Sequence, residues 1–147
     1  MITVRDILDR KGSNVVSVAP ETTALEAARL MNEHRIGALL VLEEDKLVGI
    51  VTERDILRRV VATAGDPAKV IVKEILSTPV ACCRPDTPLE ECRKVITERR
   101  IRHLPVVDRG QLRGIITIGD LMAYEISEHE TTIKYLNEYI FGHPEGV

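Results

Sequence analysis

The stretch Gly49-Ile50-Val51-Thr52-Glu53-Arg54-Asp55-Ile56-Leu57 has a second copy, Gly114-Ile115-Ile116-Thr117-Ile118-Gly119-Asp120-Leu121-Met122, in the 147-residue sequence. Each copy runs an apolar strand from a glycine, puts a threonine at the strand's end and sets an aspartate three residues on. A helical apolar pattern follows both times. Each copy reads as a strand-to-helix corner.

The repeat extends well beyond the corners. Pro20–Leu57 aligns with Pro85–Met122 without a gap, and 13 of the 38 paired positions are identical, among them Glu26/Glu91, Arg35/Arg100, Leu39/Leu104, Gly49/Gly114, Thr52/Thr117 and Asp55/Asp120. Composition alone gives about two or three such matches. The chain is an internal duplication, and the fold must be built from two like units.

The spacing within one unit gives its elements. Val4, Ile7 and Leu8 lie at helical spacing in Thr3 to Arg10, and Gly12 is placed to end that helix. Val72 to Leu76 is the matching lead-in to the second unit. Val15–Val18 reads as a short strand stopped by Pro20, and Val80–Cys83 as its partner stopped by Pro85. Ala24, Ala27, Ala28 and Met31 mark a helix with one apolar face; Leu89, Cys92 and Ile96 mark its counterpart. Two apolar runs around Glu43-Glu44-Asp45-Lys46, and two around Asp108-Arg109-Gly110-Gln111, signal hairpins. The unit is β-α-β-β-α, present twice. The expected limits are 1–61 and 72–124, with 62–71 a linker rich in turn residues. A helical extension is expected over 125–147, where Ile126, Ile133, Leu136 and Ile140 continue an apolar stripe.

From about Val4 to Tyr124 this pattern resembles a tandem pair of CBS domains, a Bateman module, of the small stand-alone prokaryotic type. The resemblance implies an α/β (α+β) fold in which the two repeats pack about a pseudo-twofold axis. It also implies clefts between them for adenosine-containing ligands: AMP, ADP, ATP or NAD(H) first, S-adenosylmethionine less so. A homodimer is implied as well, with a regulatory role towards a protein partner. The alternative is a non-catalytic scaffold or dimerisation module with vestigial clefts.

Residue chemistry supports an adenosine site independently. A carboxylate accepting from two adjacent hydroxyls suits a ribose, and Asp55 and Asp120 stand just beyond a strand, within a first helical turn. Free N–H groups there suit phosphate, and the Thr52 and Thr117 hydroxyls add donors. Val16 and Val18 in the first unit and Cys82 in the second fall on the strands that would bound a purine, with Ile36 and Ile101 at the start of the next strand. Thr-x-x-Asp is equally a helix capping box, as at Thr3 to Asp6, so each aspartate has both readings.

The units differ where phosphates would lie. The second has Arg102 and His103, a bidentate clamp and a donor that can carry charge, where the first has Gly37 and Ala38. Conversely Arg54 of the first corner is Gly119 in the second. The cleft using Asp120, Arg102 and His103 is expected to hold phosphate better than the Asp55 cleft.

Composition narrows the remaining classes. A formal net charge of −3 carries no basic excess for nucleic acid. Hydrophobic residues make up 44% of the chain but aromatics only 3%, so the core must be aliphatic. No apolar run is long enough to span a bilayer, and no charged leader followed by an apolar stretch opens the sequence. Three cysteines, Cys82, Cys83 and Cys92, make no disulfide framework and fit a cytoplasmic protein. The four histidines have no metal-ligand spacing, and no glycine-rich phosphate loop occurs. The sequence does not read as an enzyme.

Overall fold

In the computed structural model, which describes residues 1–78 and 80–128, the order of elements follows the duplication. The first half runs α1 (Val4–Lys11), β1 (Ser17–Val18), α2 (Ala24–His34), β2 (Ala38–Glu43), β3 (Lys46–Thr52) and α3 (Glu53–Ile56), which continues as a π-helical turn over Leu57–Val61. The second half runs α4 (Val72–Ile75), α5 (Leu89–Arg99), β4 (His103–Asp108), β5 (Gln111–Thr117) and α6 (Ile118–Glu128). The C-terminal stripe over Ile133, Leu136 and Ile140 lies outside the described residues.

Local chemistry sets the ends of these elements. Thr3 and Asp6 form a capping box at α1, and the Gly12 N–H closes that helix on the Leu8 carbonyl at 2.8 Å. The Thr23 hydroxyl accepts the Glu26 N–H at the start of α2. Both hairpins turn on two residues with positive φ, Glu44 (51°) and Asp45 (65°) in the first and Arg109 (52°) and Gly110 (77°) in the second. Turns of that hand match the twist of the strands they join.

The first strands are shorter than their apolar patterns predict. β1 is reduced to Ser17–Val18, paired parallel to β2 through Ser17↔Leu40 and Val18↔Val41. Its counterpart is a single bridge, Cys83↔Val106. The position matching Leu40 is Pro105, which has no N–H to donate, so the pairing cannot extend back to Cys82.

The lead-in helices are exchanged between the units. Val4 and Ile7 of α1 are buried with Cys92, Ile96, Leu104, Val106 and Ile116 of the second unit. Val72 and Ile75 of α4 are buried with Ala24, Ala27, Leu39, Val41 and Val51 of the first. Backbone bonds fix the exchange: the Val4 N–H donates to Thr87 O and the Arg5 N–H to Pro85 O, while the Val72 N–H donates to Thr22 O and the Lys73 N–H to Pro20 O. The described residues therefore form two aliphatic cores, each completed by a segment from across the duplication.

This exchange accounts for the glycine that opens each corner strand. A Cβ on Gly49 would stand 2.8 Å from Leu76 Cδ1 and 3.1 Å from the Ser77 carbonyl oxygen. A Cβ on Gly114 would stand 2.8 Å from Leu8 Cδ2. At Gly49 the crossing backbone itself leaves no room for a side chain, whereas at Gly114 it is the Leu8 side chain that fills the space.

Candidate ligand cleft at the two corners

Both corners fold as capping boxes. Asp55 Oδ2 accepts from the Thr52 N–H at 2.9 Å and the Thr52 hydroxyl at 3.1 Å, and the Asp55 N–H donates back to that hydroxyl. In the second corner Asp120 Oδ2 accepts from the Thr117 N–H at 2.8 Å, and the Asp120 N–H donates to the Thr117 hydroxyl at 3.1 Å. Capping thus fixes the carboxylates at the strand ends.

The crossing segments then treat the two acids differently. At the first corner Ser77 pairs with Ile50 through both backbone groups, and its hydroxyl donates to Asp55 Oδ1 at 3.0 Å. Both Asp55 oxygens are engaged, and the residue is buried. At the second corner the matching backbone acceptor, the Ile115 carbonyl, is met by the Lys11 ammonium at 3.0 Å, which also reaches Asp120 Oδ2 at 2.8 Å. The Asp120 side chain keeps 20% of its surface exposed and that of Lys11 30%. A serine fixed by two backbone bonds closes the first acid; one flexible lysine side chain covers the second.

The Arg102 backbone and His103 lie at this second corner. His103 pairs with Thr117 across β4 and β5, and the Arg102 carbonyl accepts the Ile118 N–H at 2.9 Å. His103 is half-buried, and burial first, then the charge of Arg102, holds its pKa below the usual imidazole value. Lys11 pushes it the same way, while Glu53 and Asp120 pull it up. Glu53 belongs to the first corner, so charges from both corners act on this imidazole. In the first unit the place of Arg102 is taken by Gly37, and the Glu53 carboxyl group lies over it, 3.2 Å from where a Cβ would stand. An acid covers the position where the second unit has a base.

The depressed His103 pKa carries a pH dependence. Protons bind the unfolded chain more readily than the folded one, so this contribution to stability is complete above about pH 6.5 and declines as pH falls towards the folded-state value. Unfolding titrations from pH 7.5 to 5 are expected to show a loss in the wild type that His103→Gln lacks. Equal slopes for the two proteins would contradict the burial assigned to this ring.

The other predicted site residues are more scattered. Arg54 is exposed on α3, Ile36 is exposed at 36% and Ile101 is half-buried against the second core. Val16 and Val18 pack at the edge of the first core. Cys82 is exposed, and among the described residues no hydrogen bond joins it to Asp120. It lines a cavity of about 520 Å³ that runs along β4 from Leu104 to Arg109 and Gly110 at the hairpin. Cys83 and Cys92 are core residues; a hydrogen bond with Cys92, and burial, keep the Cys83 thiol protonated. Among the described residues no cluster of metal-ligating side chains occurs, and no helix is long and apolar enough to cross a membrane.

Two residues that the repeat alignment leaves out, Lys11 and Ser77, are the ones that touch the corner acids from outside. They belong to the lead-in segments, which match each other at an offset of 68 residues (Leu8 with Leu76) rather than 65.

The duplicated unit, the exchanged lead-in helices and the paired threonine–aspartate corners define a two-repeat module. The family profile of the CBS domain matches residues 4–62 and 72–127, and the chain belongs to that family. It is 36% identical over 121 residues to the CBS domain-containing protein YhcV of Bacillus subtilis, covering 82% of this chain and 86% of that one. The crystal structure of a CBS-domain-containing protein from Agrobacterium tumefaciens superposes with a TM-score of 0.80 at 36% identity, over 85% of this chain and all of the other. A CBS-domain pair solved in complex with 5′-methylthioadenosine and S-adenosyl-L-methionine is similar at 28% identity and a TM-score of 0.75, over 87% of this chain and 98% of that one.

Proposed function

We propose that this chain is a non-catalytic sensor of adenine nucleotides whose working site is the Asp120 corner, and that AMP, ADP, ATP or NAD(H) is its ligand. The observation that carries the reading is the asymmetry of the two acids. Asp120 stays accessible with Arg102, His103 and Lys11 around it, whereas Asp55 is buried under Ser77 with Glu53 over Gly37. A ribose diol has an acceptor in Asp120, and a phosphate has cations within the same corner. The solved relative that holds two adenosine compounds supports the ligand class. Arg102 favours a phosphate over the sulfonium of S-adenosylmethionine.

Signalling in this reading works through differential affinity for two arrangements of the units, worth about 1–3 kcal/mol for typical coupled sites. A homodimer is part of the proposal. Leu57 and Val61 on the first corner helix, and Met122 at the position matching Leu57 on the second, are exposed at 61%, 64% and 55%. Such residues offer an apolar contact to a second copy.

A thermal-shift screen with AMP, ADP, ATP, NAD, NADH, S-adenosylmethionine and guanosine controls tests the reading. A ligand at about a hundred times its Kd adds about 2.7 kcal/mol of stability. A selective adenine response is expected. A flat response at millimolar ligand would favour a scaffold that uses the paired units only to hold a partner.

A further inference from the structure

We infer that Lys11 is the specificity-determining residue of the Asp120 cleft: its ammonium holds the ribose-accepting carboxylate until a ligand supplies a phosphate to take the ammonium in exchange. The inference rests on the nucleotide reading of this cleft and goes beyond it by naming what selects the ligand.

The geometry is a substitution within the repeat. Each corner presents the same two acceptors to its crossing segment, a backbone carbonyl (Ile50 or Ile115) and an aspartate. In the first corner Ser77 satisfies them with its N–H and its hydroxyl, and the paired Ile50 N–H to Ser77 O bond at 3.2 Å makes that closure part of the sheet. In the second corner the lead-in segment arrives as the last turn of α1, and the Lys11 side chain alone meets both acceptors. Asp55, already buried, is held by a hydroxyl on a residue that two backbone bonds to Ile50 fix in place. Releasing Asp120 needs only rotations of one partly exposed lysine side chain.

The helix that carries Lys11 does not have to move. Val4 and Ile7 fix α1 in the second core, Leu8 is seated against Gly114, and the Arg10 guanidinium stacks over the Tyr124 ring at 5.5 Å. Lys11 therefore swings from a stationary base, and its ammonium stays within a side chain's reach of the corner.

Charge then sets the selection. When ribose hydroxyls take over Asp120, the ammonium loses a charge-assisted partner and needs another. It keeps the uncharged Ile115 carbonyl, and neither Arg102 nor His103, whose burial disfavours its charged form, offers a negative charge in exchange. A ligand phosphate does, and Arg102 can share it. An adenosine without phosphate displaces Lys11 and gives nothing back; a cationic tail adds repulsion. The cleft therefore takes an adenosine with an anionic tail in preference to neutral or cationic adenosines.

Calorimetric titration of the full chain with adenosine and with AMP, for wild type, Lys11→Met and Lys11→Gln, tests this. Unfolding midpoints of both variants serve as the folding control, and Lys11→Gln stands in if Lys11→Met is poorly folded. Wild type is expected to prefer AMP over adenosine, and the variants to bind adenosine more tightly while AMP gains nothing, so that the preference falls about tenfold or more. Unchanged adenosine affinity with weakened AMP would make Lys11 a plain phosphate contact and overturn the exchange. Equal adenosine and AMP affinities in wild type would overturn the selection. Binding of neither compound to wild type would overturn the nucleotide reading itself, and this inference with it.

Discussion

Replacing Val4 with aspartate is expected to cost about 4 kcal/mol or more and to unfold the second unit, although Val4 precedes the first unit in sequence. Val4 has no exposed surface and lies among Cys92, Leu104 and Ile116. A carboxylate there would be buried without a partner, and the backbone bonds from Val4 to Thr87 and from Arg5 to Pro85 would be strained with it. Urea unfolding followed by circular dichroism gives the magnitude, and amide exchange shows where protection is lost. Loss centred on residues 81–121 is the expected pattern. Loss centred on 15–61, or a variant as stable as wild type, would contradict the exchange of lead-in helices.

Asp120→Ala is expected to weaken AMP binding roughly 100-fold, because two ribose hydroxyls lose a charged acceptor worth about 1.5 kcal/mol or more to each. The same change removes the cap on the Thr117 N–H, at a stability cost of about 1 kcal/mol. Asp55→Ala is expected to do the reverse. It strips a buried cap and the partner of Ser77, so stability falls further, while AMP affinity stays within about threefold of wild type. Calorimetry and unfolding midpoints on the two variants separate binding from folding. Comparable affinity losses in both would contradict the asymmetry of the corners.

Much of this architecture is legible in the sequence because the duplication states it twice. Thr52/Asp55 and Thr117/Asp120 mark the corners, and Glu44-Asp45 and Arg109-Gly110 mark the hairpin turns. The exchange of α1 and α4 is not legible. Val4 and Ile7 form an apolar stripe that fits the groove of either unit, since the two grooves are copies of one another, and only tertiary packing chooses. Lys11 escapes notice for the same reason: a lysine at the end of a helix reads as an ordinary partner for the helix dipole, and its contact is 109 residues away. The shortened second strand was readable, however. Pro105 stands where Leu40 pairs in the first unit, and its missing N–H is visible in the sequence.

The most direct test of the central claim is to map AMP onto the chain by backbone amide chemical shifts in a titration of the ¹⁵N-labelled protein. Binding at the second corner is expected to move Thr117–Leu121, Arg102, His103 and Lys11, and to leave Thr52–Ile56 and Ser77 in place. Shifts confined to Thr52–Ile56 and Ser77, with the Asp120 corner unmoved, would contradict it.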